Sequence, residues 1–188
     1  LGEKDKLLHS PNFTPYTKMH AYYHESLHDY LTRFGYYDIF LVSAETGHIV
    51  YSVYKELDFA TSLIDGPYAD SGIAEAFRKV KDSQEVSTVA LTDFAPYLPS
   101  YEAPASFIAS PIFESGEIVG VLIFQMPIER LNQIMTHNEK WSEVGLGNTG
   151  ETYLVGQDFN MRSMSRFLIE DKTAYGELLK QLDMGPDA

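Results

Sequence analysis

The hydrophobic pattern of this chain changes period at Gly35, and that change limits what it can fold into. Before it, Tyr16, Met19, Tyr23, Leu27, Tyr30, Leu31 and Phe34 recur at steps of three and four, the stripe of a single helix. Thr14 can cap that helix, Pro15 suits its first position and Gly35 is a natural stop. After it, Tyr37-Asp38-Ile39-Phe40-Leu41-Val42-Ser43 is an apolar run of strand length. The turn Ala44-Glu45-Thr46-Gly47 and the run His48-Ile49-Val50-Tyr51-Ser52-Val53-Tyr54 complete a hairpin. The helical stripe is rich in tyrosine, so one edge of it is expected to stay wet or to meet another chain.

Residues 57–70 have mixed polarity around Gly66-Pro67 and read as a loop with short helical turns. Ser71 can cap a second helix with Ile73, Ala74, Phe77 and Val80 on one face. Residues 86–91 read as a third strand. Residues 93–104 hold Pro96, Pro99 and Pro104 and read as too broken for regular structure. Residues 105–113 and 117–126 form a second hairpin across Glu114-Ser115-Gly116, and Pro127 starts a helix carrying Ile128, Leu131, Ile134 and Met135. Five antiparallel strands with helices on one side make an α+β sandwich. Beyond Trp141 the pattern restarts, with strands expected at 151–155 and 161–165 and a polar helix at 170–182. Two strands make no stable sheet unaided, so this tail is expected to be the first hairpin of a second module cut short.

The charge balance is 14 Lys+Arg against 27 Asp+Glu, a net −13. That argues against a nucleic-acid binder, which needs a basic face, and equally against docking on anionic lipid through this surface. With no Cys, disulfides, thiolate zinc sites and Cys nucleophiles are excluded. A cysteine-free acidic chain fits an exported bacterial domain. No apolar run approaches the ~20 residues of a membrane span, and no signal peptide is visible. The chain starts at Leu1-Gly2-Glu3 and stops at Gly185-Pro186-Asp187-Ala188, so it is expected to be an excised soluble piece whose parent's membrane anchors lie outside it.

Two motifs invite a chemical reading. His24-Glu25-Ser26-Leu27-His28 matches H-E-x-x-H, in which two His one helical turn apart bind zinc and the Glu activates a water. His20 extends the row. But Leu27 belongs to the apolar stripe, the three His drift off its edge toward solvent, and no third ligand is evident. Adventitious metal at His20, His24 and His28 is the milder expectation, and a zinc-dependent hydrolase the alternative of another class. Gly145-Leu146-Gly147-Asn148-Thr149-Gly150 matches G-x-G-x-x-G, but a strand follows it where the dinucleotide fingerprint needs a helix, so the glycines read as turn formers. No catalytic residues, metal site or cofactor are expected.

The runs Asp38-Ile39-Phe40-Leu41-Val42 and Gly47-His48-Ile49-Val50-Tyr51, followed by Ala105-Ser106-Phe107-Ile108-Ala109-Ser110-Pro111-Ile112-Phe113 and Gly116-Glu117-Ile118-Val119-Gly120-Val121-Leu122, resemble the Cache family of extracytoplasmic PAS-like sensor domains. Gly147-Asn148-Thr149-Gly150-Glu151-Thr152-Tyr153-Leu154-Val155 resembles the opening of the membrane-proximal module of double Cache domains. The likeness spans about residues 14–167. It implies a PAS-like five-stranded sheet with a long N-terminal helix, residues 1–35, that forms the dimer contact. A membrane-distal module at 36–126, a connecting helix at 127–146 and a partial membrane-proximal module at 147–188 complete the expected order. It further implies a periplasmic ligand-sensing domain of an inner-membrane receptor, a homodimer at full length, most like a methyl-accepting chemotaxis protein. A histidine kinase or a diguanylate or adenylate cyclase receptor is the near alternative.

Amino-acid-binding members carry an Arg-x-Trp-Tyr element and an Asp after the Gly-Val strand. Here no Trp precedes Trp141, and the late position is Gln125, which speaks against a standard α-amino-acid ligand. The family's Pro-Tyr element matches Pro96-Tyr97. The expected ligand cavity lies between the sheet and the 93–104 loop, acting as a lid, and is lined by Tyr51, Val53, Asp93, Tyr97, Tyr101, Ser106 and Gln125. In it Gln125 turns into the sheet face and needs hydrogen-bond partners, while Phe124 and Met126 take the opposite face.

Overall fold

A computed structural model describes residues 3–182 and 184; Leu1, Gly2 and the terminal Gly185-Pro186-Asp187-Ala188 lie outside the described residues. The chain divides into two compact units, with the boundary between Pro127 and Ile128.

In the first unit, helix α1 (Pro15–Phe34) starts where Thr14 accepts a hydrogen bond from the Thr17 amide, and ends at Gly35, whose φ of +70° and bond to the Leu31 carbonyl close the helix. Six strands follow: β1 (Asp38–Ser43), β2 (Ile49–Ser52), β3 (Ala90–Leu91), β4 (Ala95–Tyr97), β5 (Ala103–Glu114) and β6 (Glu117–Pro127), with helix α2 (Gly72–Val80) between β2 and β3. The antiparallel sheet runs β2-β1-β6-β5-β3, and β4 also pairs with β5. Since β6 takes one edge of β5, β3 and β4 share the other, and the sheet stays five lanes wide.

That outer lane departs from the sequence reading. The expected strand over 86–91 shrinks to two residues, and the 93–104 segment contains a strand, a 3-10 turn (Leu98–Ser100) and the start of β5. Thr92 makes the break: its amide donates to the Phe107 carbonyl, and its hydroxyl, not its own backbone, receives the Phe107 amide. Pro96 is tolerated because β4 is an edge strand.

Helices also cover both faces, where one side was expected. Phe40, Val42, Phe107, Ala109, Val121 and Ile123 pack with Ile73, Phe77 and Val80 of α2 and with Leu63. Their neighbours Ile39, Tyr51 and Val53 pack with Leu31 of α1, and Leu27, Tyr36 and Phe124 lie against them. Burial on both faces explains why β1 reads as a continuous apolar run.

Helix α1 is turned about one residue, some 100°, from the face its tyrosines define. Tyr16, Met19, Tyr23, Tyr30 and Phe34 are exposed, while Thr17, His20, His24 and Leu31 are buried. The histidines were expected at the wet edge; instead residues 5–8 run along them. Their rings reach main-chain carbonyls that the 3-10 turn at Lys4–Lys6 and the chain after it leave unpaired: His20 Nδ1 lies 3.2 Å from the Leu8 oxygen and His24 Nε2 2.5 Å from that of Asp5.

In the second unit, helices α3 (Ile128–Met135), α4 (Arg166–Glu170) and α5 (Lys172–Gln181) are joined by irregular chain. The strands expected at 151–155 and 161–165 reduce to one bridge, Val155 with Met161. Side chains hold the segment: Ser163 Oγ receives the Leu154 amide, and Arg166, 8% exposed, donates to the carbonyls of Gly147 and Gly150 while lying over the Trp141 ring at 4.7 Å. The glycine-rich loop is thus a set of turns gripped by an arginine. The helix expected at 170–182 is α5, and Asp171, which separates it from the short α4, caps it through the amides of Thr173 and Ala174. Among the described residues no helix is long and apolar enough to cross a membrane.

Candidate functional site

On the α2 face, the end of the sheet where β1 begins and β6 ends carries polar groups that water does not reach. Asp38 is fully buried. Its Oδ1 receives the amides of Ile39 at 2.7 Å and Val53 at 2.8 Å, and Tyr54 donates to the same carboxylate. This ends β2 and ties the following segment to β1. Burial drives the Asp38 carboxyl up to about 8, against the pull of those amides.

The segment after β2 delivers two more acids. Asp58, fully buried, accepts the Tyr97 hydroxyl on Oδ2 at 2.5 Å. Glu56 accepts from Tyr37 at 3.2 Å and from Ser100 at 3.3 Å. Burial raises both carboxyls, and each hydroxyl donor pulls the other way. Burial also raises the phenols, Tyr37 up to about 12, and Tyr97 is held up further by the Asp58 charge. Gln125, 2% exposed, donates from Nε2 to Ser100 Oγ at 2.9 Å, giving a chain from Gln125 through Ser100 to Glu56 and Tyr37. Gln125 pairs with Phe107 across the sheet, and the Tyr97 ring meets Phe107 edge-on at 5.0 Å. Two acceptors are left over: Asp58 Oδ1 and Gln125 Oε1 are buried with no hydrogen-bond partner. A buried acceptor without a donor costs about 1–3 kcal/mol, more when charged. The cluster therefore holds more buried acceptors than side-chain donors.

Of the seven residues singled out from sequence, Tyr97 and Gln125 meet here. Tyr51 and Val53 do point the same way, but onto the α1 face, where the Tyr51 hydroxyl lies 2.7 Å from His24 Nδ1. Ser106 pairs with Met126, one step out of phase with Gln125, and its hydroxyl donates to the Thr92 carbonyl at 2.7 Å. Asp93 is exposed and accepts the Phe94 amide; Tyr101 is 88% exposed. One cavity lined by all seven is therefore not what the strand alternation builds. Asp38, Glu56, Asp58 and Ser100 were not singled out. The available signal was Asp38 inside an apolar strand; Glu56 and Asp58 sat in a segment that reads as an ordinary polar loop.

The H-E-x-x-H residues do not form a metal site. His24 Nε2–H donates to the Asp5 carbonyl, so Nδ1 accepts from the Tyr51 hydroxyl, and both ring nitrogens are committed. His28 Nε2 faces the Asp5 carboxylate at 3.2 Å and Glu25 is exposed. Among the described residues no group of three or more His, Asp or Glu is placed to hold a metal.

No family model matches the chain, and no curated protein does. Solved structures do. The ligand-binding domain of the Campylobacter jejuni chemoreceptor Tlp3, in complex with 4-methylisoleucine, aligns over 77% of this chain and 50% of its own, at 13% identity and a TM-score of 0.50. The ligand-binding domain of the Pseudomonas aeruginosa amino acid chemoreceptor PctC, in complex with GABA, covers 73% and 53% at 13% identity and a TM-score of 0.49. The sensor domain of the Vibrio cholerae histidine kinase DctB covers 58% and 38% at 20% identity and a TM-score of 0.41. The chain thus spans about half the length, or less, of these solved domains. At such identities the likeness is one of fold, and the fold is the α+β, PAS-like one of Cache-type sensor domains, a long N-terminal helix and an antiparallel sheet.

Proposed function

We propose that this chain is the small-molecule-sensing part of a periplasmic receptor domain, anchored through its parent to the inner membrane and most like that of a methyl-accepting chemotaxis protein. The observation that carries the reading is the pair of unpartnered buried acceptors, Asp58 Oδ1 and Gln125 Oε1, among hydroxyls and carboxyls on one sheet face. Catalytic chemistry of the zinc-hydrolase type has no support in the H-E-x-x-H residues, since both ring nitrogens of His24 are committed and Glu25 is exposed. The ligand that suits the cluster presents donors, foremost a primary ammonium, as the 4-methylisoleucine of the Tlp3 complex does. Gripping Asp58 and Gln125 together joins the 54–62 segment to β6. A ligand shifts the receptor only by its difference in affinity between two states, and this junction is where we place that difference.

The test is thermal unfolding with ethanolamine, putrescine, L-serine and succinate. An amine at ~100 times its Kd adds about 2.7 kcal/mol. Asp58→Asn or Gln125→Ala, each of which takes away an acceptor, should weaken it by at least about 0.5–1.5 kcal/mol. Stabilisation by succinate alone, or amine binding indifferent to both variants, overturns the reading. We also assign the homodimer contact of the full-length receptor to the exposed face of α1, which carries Met19, Tyr22, Tyr23 and Phe34. A Cys at Tyr22, 75% exposed, should give a symmetric cross-link in membranes, and its absence there and at Met19 counts against the assignment.

A further inference from the structure

A hollow lies between the N-terminal segment, α1 and the segment after β2. It is a cleft of about 150 Å³ lined by Leu7, Leu8, Tyr16, His20, Lys55 and Phe59 among others. An apolar cavity of that size takes one benzene-sized ring. His20 is 8% exposed, and the Leu8 carbonyl 3.2 Å from Nδ1 fixes the proton on that nitrogen. Nε2 is therefore a bare acceptor, and it is buried with no partner. The donors around it are spent elsewhere. The Tyr16 hydroxyl donates to the Val50 carbonyl at 2.8 Å, Lys55 Nζ to the Val53 carbonyl at 3.0 Å, and the Thr17 hydroxyl to the Asn12 carbonyl at 3.1 Å.

We propose that this cleft is a second ligand site, for a small neutral aromatic molecule carrying one O–H or N–H donor that bonds His20 Nε2. Tyr16 and Phe59 supply ring walls, and the Lys55 ammonium, already 5.7 Å above the Tyr51 ring, favours a π face over an aliphatic body. An anion is disfavoured because the His20 lone pair repels it. Burial holds the imidazole pKa below its ordinary value, so the ring stays neutral and accepting at neutral pH. The cleft shares no side chain with the Asp58–Gln125 cluster, although its Lys55 and Phe59 flank Glu56 and Asp58 in the chain. Occupancy buttresses the segment whose carbonyls cover the histidine row, and so couples the ligand to α1.

The probes are phenol and fluorobenzene, alike in size and differing in the donor. Each is titrated into the intact domain at pH 7.5, followed by long-range ¹⁵N–¹H spectra of the histidines. Phenol should saturate about ten-fold tighter than fluorobenzene and move the His20 Nε2 resonance. His20→Phe, folded by circular dichroism, should erase the advantage, and Leu8→Trp, which fills the cleft from the extended segment, should abolish binding of both. Equal affinity for the two probes, a phenol advantage that survives His20→Phe, or phenol binding untouched by Leu8→Trp overturns the proposal. So does the absence of saturable binding, which leaves the cleft to water.

Discussion

Tyr97→Phe isolates one hydrogen bond without opening a cavity. The ring keeps its edge-on contact with Phe107 and its contact with Tyr68, and only the hydroxyl goes. That hydroxyl is the side-chain donor to a carboxyl no solvent reaches. Asp58 Oδ1 already lacks a partner, so the variant strips Oδ2 as well. A hydrogen bond to a charged group contributes about 1.5–3 kcal/mol, and we expect a loss of about 2–3 kcal/mol at pH 7.5. The pH dependence has a definite sign. Burial raises the folded Asp58 pKa, so this group's contribution is full below the unfolded value near 4 and declines as pH rises through the folded one. Losing the phenol raises the folded pKa further, so the variant falls further behind wild type as pH rises, and towards low pH, as the carboxyl takes up its proton, the deficit shrinks towards the ~0.5–1.5 kcal/mol of a neutral bond. Urea unfolding followed by far-ultraviolet circular dichroism at pH 5 and 7.5 measures both, while the fluorescence of Trp141, beyond Pro127, reports the other unit separately. Asp58→Asn keeps an acceptor for Tyr97, so in that background removing the hydroxyl should cost about 0.5–1.5 kcal/mol at either pH. A deficit below 0.5 kcal/mol at pH 7.5, or one that does not change with pH, refutes the reasoning.

Asp38→Asn keeps the oxygen that receives the Ile39 and Val53 amides but removes the titration; wild-type stability should lose up to about 1.4 kcal/mol per pH unit between pH 5 and 7 from this group, whose folded pKa is about 8, and the variant should be flatter by that slope. Thr14→Ala should destabilise by about 1 kcal/mol in urea unfolding, since the Thr17 amide loses its cap. Gly47→Ala should cost more than about 1 kcal/mol, because φ is +68° and the new Cβ would stand 2.6 Å from Ile64. Arg166→Lys should raise hydrogen exchange across 145–150, as a lysine cannot span two carbonyls and stack on Trp141 at once.

The N-terminal helix, the two hairpins and the α+β class were legible because each rests on local physics. Thr14-Pro15 and Gly35 act within one helical turn, and the apolar runs of β1, β5 and β6 record burial directly. The phase of α1 was not legible. Tyrosine reads as apolar, yet a tyrosine keeps its hydroxyl satisfied by staying near water, while histidines go inside when carbonyls such as those of Asp5 and Leu8 meet them. That Gln125 turns into the sheet face was legible because strand alternation aims it there, whereas the burial of Tyr97 comes from a short edge strand that the prolines of 93–104 concealed. Tyr51 and Val53 point together as alternation requires, but which face that is depends on the pairing of Leu41 with Tyr51 and of Phe40 with Ser52, set by a register across the hairpin and a bulge beside it. Asp58 carries no local mark at all. What the residues alone determine here is where helices and strands begin and end, since those signals are short-range; what only the tertiary structure decides is which polar groups are taken from water together, because that depends on contacts between Asp58 and Tyr97, 39 residues apart, or Ser100 and Gln125, 25 apart, that no local pattern encodes.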